Sequence, residues 1–351
     1  NLKKYIYIYI YIYIYNFLLR EKKKYFSIIE MKVIAFYQPH LDIRGTGVAY
    51  FDYAFYNQKI LGNVSIMIYD ENHPVNHPLV KEKFEQNMIL IPLRGSQDMF
   101  ELYEVCVENN VDAIYIHKYG RKNDGRFIHD IPTLIHACGP CYDPHGTIYS
   151  YTSQWLSNEF SGGNIPVIPL MINLPDHNDN FRQELGIPED SIVIGRTGGL
   201  ETFDIEFVYP VIEQISQERK NVYFLFANTN SFSNNNPRII FMDGFADIFI
   251  KRKFINTCDA MIHARTVGES FGVAIGEFSW CNKPIITYAN SIEKNHIFML
   301  QDKGLYYSDS DSLYDILKNF VPQPEKDWNC YKNCSPENVM IKFKEVFLDK
   351  I

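Results

Sequence analysis

Twice in this chain an apolar strand runs into a glycine-bearing turn and then into a long helical segment. The first unit is "KVIAFYQ", the turn "LDIRGTG" and the helix "VAYFDYAFYNQKILG"; the second is "SIVIGRTGG" followed by "FDIEFVYPVIEQISQERK". After each, strands and helices keep alternating, with "NVSIMIYD", "MILIPL", "DAIYIH", "TLIHA" and "GTIYSYTS" in the first series. "VYFLFAN", "RIIFMDG", "AMIHA" and "PIITYAN" follow in the second. Runs that are apolar on both faces, separated by helices, make parallel sheets covered on both sides. The expected fold is therefore α/β, with two Rossmann-like domains of parallel sheets facing a central cleft, and ligand at the carboxyl ends of the strands. The divisions are 31–170 for an N-terminal Rossmann-like domain, 171–190 for a Pro/Asn/Asp-rich linker, 191–325 for a C-terminal Rossmann-like domain and 326–351 for a helical tail.

Residues 1–30 need a separate account. Tyr and Ile alternate strictly over residues 5–15. As a strand this would be apolar on both faces and prone to aggregate; it is also what an alternating AT repeat encodes. Met31 opens a clean strand, so residues 1–30 are read as a non-native or disordered leader. The whole chain has 34 basic and 42 acidic residues, and the part from Met31 onward has 28 and 40, a balance near −12. Such an acidic body without basic runs argues against nucleic acid as a partner. No apolar run approaches the ~20 residues needed to span a bilayer, so membrane association is not required. The cysteines (Cys106, Cys138, Cys141, Cys258, Cys281, Cys330 and Cys334) are odd in number and mostly apolar in context. That fits free thiols in a reducing compartment and a cytoplasmic location.

Two short motifs have plain explanations. "CGPC" at 138–141 matches a redox dithiol, but such a motif needs its first Cys at a helix start, and here "YDPHG" follows. His136, Cys138, Cys141 and His145 have ligand-like spacing for zinc, yet lack the second, distant ligand pair usual in structural sites. The segment is read as a loop after a strand, and no metal is expected. Asp309-Ser310-Asp311 precedes "LYDILKNF" and reads as a helix cap.

"HARTVGESFGVAIGE", residues 263–277, carries more chemistry. A strand ends, a loop holds Glu269, and a helix is expected to begin near Ser270. Its unpaired N–H groups at Ser270, Phe271 and Gly272 would face an anion. Glu277 lies in an otherwise apolar face, where a charge without a partner is costly. Glu269 and Glu277 together could bracket an elongated ligand with many hydroxyls and phosphates between its ends.

The run G-E-S-F-G-x-A-x-x-E resembles the E-x7-E motif of family-4 retaining glycosyltransferases, enzymes of the GT-B architecture. "VIGRTGG" is similar to the family's strand and turn with a phosphate-binding basic residue, which implies donor-binding roles for Arg196, Gly198 and Gly199. "RGTG" resembles the glycine loop facing donor phosphates and acceptor, here Gly45 and Gly47. "TLIHA" resembles the strand whose terminal histidine lines the active site, here His136. The resemblance implies transfer of a sugar from a nucleotide-diphosphate sugar to a glycan, lipid or protein acceptor, with retention and with no cofactor or metal. Glu277 would then hold the ribose, Glu269 the sugar hydroxyls, and His136 the transferring sugar. The family's lysine after the basic residue is missing from "GRTGGLETFDI", so Arg265 or turn amides would have to replace it. A sugar-nucleotide epimerase or phosphorylase on the same fold, or a non-catalytic nucleotide-sugar or thiol binding protein, are the alternatives.

Overall fold

The computed structural model describes residues 31–42, 45–94, 99–123, 128, 130–245 and 247–351; residues 1–30, read above as a leader, lie outside them. Six strands form the first sheet: β1 (Val33–Tyr37), β2 (Val64–Asp70), β3 (Ile89–Leu93), β4 (Ala113–Lys118), β5 (Thr133–Ala137) and β6 (Ile148–Tyr151). The second sheet contains β7 (Ile192–Arg196), β8 (Val222–Ala227), β9 (Ile239–Met242), β10 (Ala260–His263), β12 (Ile285–Tyr288) and β14 (Leu305–Tyr307). A two-residue ladder joins β11 (Gly268–Glu269) to β13 (Glu293–Lys294).

Spatial order is β3-β2-β1-β4-β5-β6 in one sheet and β14-β12-β10-β7-β8-β9 in the other, and every pairing is parallel. Read from β9, the second order repeats the first. Each sheet runs outward from its first strand in both directions, so each has one point where the winding reverses: between β1 and β4, and between β7 and β10. Helices on the two faces leave a crevice at the strand ends there, the place where doubly wound sheets bind ligands.

The helices follow their apolar spacing. Val208, Val211, Ile212 and Ile215 are buried on one side of Val208–Glu218, the stripe expected of a surface helix. That helix is shorter than the sequence pattern suggests. Pro210 falls in its first turn, where a missing N–H costs nothing, and Phe203 and Ile205 before it are buried in the core outside the helix. The chain also returns to the first domain at its end. In helix Pro336–Val346, Phe343 packs on Tyr53 at 5.4 Å and on Tyr115 at 5.6 Å between ring centroids, and Lys32 Nζ donates to the Ile351 carbonyl at 3.0 Å. Among the described residues no helix is long and apolar enough to cross a membrane.

Candidate functional site

The reversal point of the second sheet gathers most of the residues singled out above. β7 ends at Arg196, which is 2% exposed. Its Nη1 donates to the Asn228 carbonyl (2.8 Å) and the Thr229 hydroxyl, and its Nη2 to the Gly199 carbonyl and the Thr202 hydroxyl (2.6 Å each). Asn228 Nδ2 closes the pair of turns by donating to the Gly198 carbonyl at 2.8 Å. Burial brings the guanidinium down to about 10. The sequence reading gives Arg196 a phosphate; in this geometry its four bonds sew the Gly198–Gly199 turn to the end of β8. Gly198 lies directly over it, where a Cβ would stand 2.9 Å from Nη2.

β10 ends at His263, and the chain then turns through Arg265 into β11. Gly268 has φ +78°, and a Cβ there would sit 2.1 Å from the Glu293 carbonyl, so only glycine fits. Glu269 follows. Its Oε1 meets Arg265 Nη1 at 3.0 Å and His263 Nε2 at 3.4 Å. Burial acts to raise the Glu269 carboxyl, but His263 and Arg265 outweigh it and hold it below the ordinary range. Among the described cations, Arg265 is thus the one bonded to Glu269, and its own side chain is 29% exposed.

The helix begins later than the sequence reading placed it. Gly272, at φ 86°, is the N-cap of Val273–Trp280, and the first helical bond runs from Gly276 N to the Gly272 carbonyl. Ser270 and Phe271 lie before the helix, and the Phe271 carbonyl accepts from Asn295 Nδ2 (2.8 Å) and the Tyr331 hydroxyl (3.1 Å). The amides without an intrahelical acceptor are therefore those of Val273, Ala274 and Ile275. Glu269 is on β11, so the two glutamates do not share a helix face. Glu277 does lie inside the helix, buried, with Lys251 Nζ at 2.7 Å from its Oε1. Sequence reasoning found the buried carboxylate and missed its partner, which sits on helix Ile248–Thr257.

A cavity of ≈ 570 Å³ opens at the ends of β8 and β9, lined by Thr229, Phe241, Asp243, Gly244, Phe245 and Ile250 among others. Thr229 links it to the Arg196 brace. None of these pocket residues stands out in the sequence beyond the turn signal "MDG".

The first sheet contributes differently. His136, on β5, is fully buried. Its Nδ1 is 2.7 Å from the Tyr115 hydroxyl and its Nε2 2.7 Å from the Ile168 carbonyl, with Tyr53 and Phe347 packed against the ring. Burial pushes the imidazole well below its usual range. Both nitrogens are occupied, which gives His136 a structural role in this geometry beside the active-site role the sequence reading expects. At the carboxyl edge of this sheet, Gln38 Nε2 and Oε1, His117 Nδ1 and Thr152 Oγ1 are buried with no hydrogen-bond partner among the described residues. Gly45 and Gly47 belong to the first turn of helix Gly45–Lys59 rather than to a loop; a Cβ on Gly47 would lie 2.3 Å from the Asp42 carbonyl.

Residues 138–145 form no helix; Cys138 and Gly139 donate to the Lys118 and Tyr119 carbonyls at 2.9 and 2.7 Å. Among the described residues no group of three or more His, Cys, Asp or Glu is placed to hold a metal ion. Asp309 caps helix Ser310–Asn319, accepting from Ser312 N at 2.8 Å.

No family model matches the chain, and no curated protein matches it in sequence. Solved structures do match over nearly the whole length. A glycosyltransferase from Rickettsia africae superposes with TM-score 0.68 at 15% identity, covering 91% of this chain and 98% of that one. The fold is GT-B. HepE of Anabaena, solved in complex with UDP-glucose, gives TM-score 0.61 at 16% identity over 90% and 95% of the two chains. A putative UDP-N-acetylglucosamine 2-epimerase from Listeria monocytogenes gives 0.60 at 12% over 91% and 97%. In GT-B terms, the turn after β7, the loop after β10 and the cavity beyond β8 and β9 all lie on the C-terminal domain.

Proposed function

We propose that the protein is a glycosyltransferase that moves a sugar from a nucleotide-diphosphate sugar to an acceptor, with retention of configuration and without a metal. The observation that carries this reading is the arrangement around the β7/β10 reversal. An aromatic-walled cavity tied through Thr229 to the Arg196 turn, a glycine turn, a helix start and a partly buried Arg265–Glu269 pair all follow the carboxyl ends of strands of the second sheet. A nucleotide sugar has the matching parts in a row. The base fits the cavity, whose size is typical of small-ligand sites. The ribose hydroxyls fall to Glu277, with Lys251 balancing its charge. The diphosphate meets Arg265, the amides of Val273, Ala274 and Ile275, and the Gly198–Gly199 turn. Glu269 accepts from the sugar hydroxyls. Charge on the departing diphosphate would be met by these fixed donors, which is the task a metal performs elsewhere. The unpartnered atoms of Gln38, His117 and Thr152 on the facing sheet are neutral donors and acceptors, which suits a hydroxyl-bearing acceptor.

The likeness to a 2-epimerase supports a second reading, an enzyme that rearranges the sugar of a UDP-sugar. One experiment separates the two. The protein is incubated with UDP- and GDP-sugars and an acceptor panel, with and without EDTA, and the products are followed by NMR. A new glycoside with the donor's anomeric configuration, formed equally with EDTA, supports the proposal. Epimerised sugar without transfer supports the second reading. Absence of nucleotide diphosphate binding refutes both.

A further inference from the structure

His263 appears in the motif "HARTVGESFG" with no role of its own, yet its surroundings are specific. It is the last residue of β10, 6% exposed, and pairs in register with Thr287 on β12. Its Nδ1 is 2.9 Å from Thr287 Oγ1. Its carbonyl accepts from the Tyr307 hydroxyl at 3.0 Å. The fully buried ring of His296 stands edge-on to it, 4.9 Å between centroids. The imidazole therefore has little room to rotate.

Its other nitrogen points at Glu269, and the geometry there is asymmetric. His263 Nε2 and Arg265 Nη1 converge on the same oxygen, Oε1, at 3.4 and 3.0 Å. Oε2 takes no hydrogen bond from a described residue, and the side chain is 24% exposed. A carboxylate oxygen can only accept, so Nε2 carries a proton; in the neutral ring Nδ1 then accepts from the Thr287 hydroxyl. At 3.4 Å the contact is long for N–H···O, as active-site hydrogen bonds often are before substrate tightens them.

We propose that His263, oriented by Thr287, is a positioning residue that holds Glu269 with one oxygen tied down and the other free for a sugar hydroxyl. Arg265 alone would favour a two-pronged pairing, since guanidinium and carboxylate match as fork and fork. That pairing would occupy both oxygens and remove the hydroxyl acceptor. The His263 contact fixes how the carboxylate is turned, and in that orientation Arg265 Nη1 meets the same oxygen, Oε1, that His263 holds. This rests on the glycosyltransferase reading for the identity of the ligand, while the Thr287–His263–Glu269 relay stands on geometry.

The test uses Thr287→Val, Thr287→Ser and His263→Phe in the full chain, with UDP, UDP-glucose and UDP-glucose analogues each lacking one sugar hydroxyl. In the unaltered protein one analogue should lose about tenfold or more in kcat/KM, the scale of a charge-assisted hydrogen bond. In Thr287→Val and His263→Phe that penalty should shrink towards one, while UDP affinity stays within about twofold, since sugar and nucleotide contacts are separate. Thr287→Ser keeps the hydroxyl and should restore the penalty. An unchanged deoxy penalty in Thr287→Val, or a parallel fall in UDP affinity, overturns the proposal. If the unaltered protein turns over no UDP-glucose, imidazole ¹⁵N NMR decides instead. Thr287→Val and Glu269→Gln must each move the His263 resonances, assigned through His263→Phe, and unmoved resonances overturn it.

Discussion

Replacing His136 with Phe separates the two roles that sequence and structure give this residue. The ring keeps its packing against Tyr53, Tyr115 and Phe347 but loses both nitrogens. Two groups are then stranded in the core, the Tyr115 hydroxyl and the Ile168 carbonyl, each 2.7 Å from its partner before the change. A buried polar group left without a partner costs about 1–3 kcal/mol, so the pair predicts a loss of roughly 2–6 kcal/mol. For a domain of this size that lowers Tm by about 4–24 °C. Calorimetry or fluorimetry measures the shift, and donor turnover is assayed well below the new Tm. Turnover per folded molecule should fall little, because neither nitrogen faces the cleft. An unchanged Tm with turnover lost would refute the reasoning and return His136 to the active site.

Stability should depend steeply on acid. Burial pushes His117 down to about 4, His296 down to about 3, and His136 well below its usual range. Their folded values lie below the unfolded ~6.5, so the unfolded chain binds more protons as pH falls, and stability present above ~6.5 is lost below it, by up to ~1.4 kcal/mol per pH unit for each histidine. Asp52 acts oppositely: burial raises it to about 7, so its contribution is present at low pH and lost as pH rises towards 7. Denaturation curves between pH 4 and 6.5 should give a net slope of roughly two protons, and Asp52→Asn should steepen it by one; a flat profile contradicts the burial of these groups. Gly268→Ala puts a Cβ 2.1 Å from the Glu293 carbonyl at a positive φ. It should displace Glu269 and cut turnover at least tenfold while UDP binding, measured calorimetrically, changes little; full activity in this variant would mean that the ladder does not hold the site.

Much of the fold was legible in the sequence, because parallel strands buried on both faces leave long apolar runs and glycine turns punctuate them. Short elements were not. β14 is three residues, "LYY", and has no periodicity to detect, while helix Pro78–Asn87 buries only Phe84. The return of the C-terminal helix onto the first domain depends on Phe343 meeting Tyr53, a contact between distant parts of the chain that no local pattern announces. Within the site, the burial of Glu277 was legible, because a charge inside an apolar helix face announces itself. The site was ambiguous where a polar side chain at a strand end could serve either cleft or core. Arg196 and His136 sit at such ends, and only the positions of Asn228, Thr229, Tyr115 and Ile168 show that both face inward. Lys251 and Thr287 went unnoticed for the same reason: each matters only through a partner far away in sequence.

The central claim is that Glu277 serves the nucleotide and Glu269 the sugar. Measuring UDP affinity and donor turnover in Glu277→Gln and Glu269→Gln tests it most directly. Glu277→Gln weakens a charge-assisted bond worth ~1.5–3 kcal/mol, so UDP should bind roughly tenfold or more weakly. Glu269→Gln should leave UDP affinity within about twofold and lower turnover of the full donor, where sugar placement counts in the transition state. Equal losses in both quantities in both variants, or UDP binding untouched in each, would contradict the account.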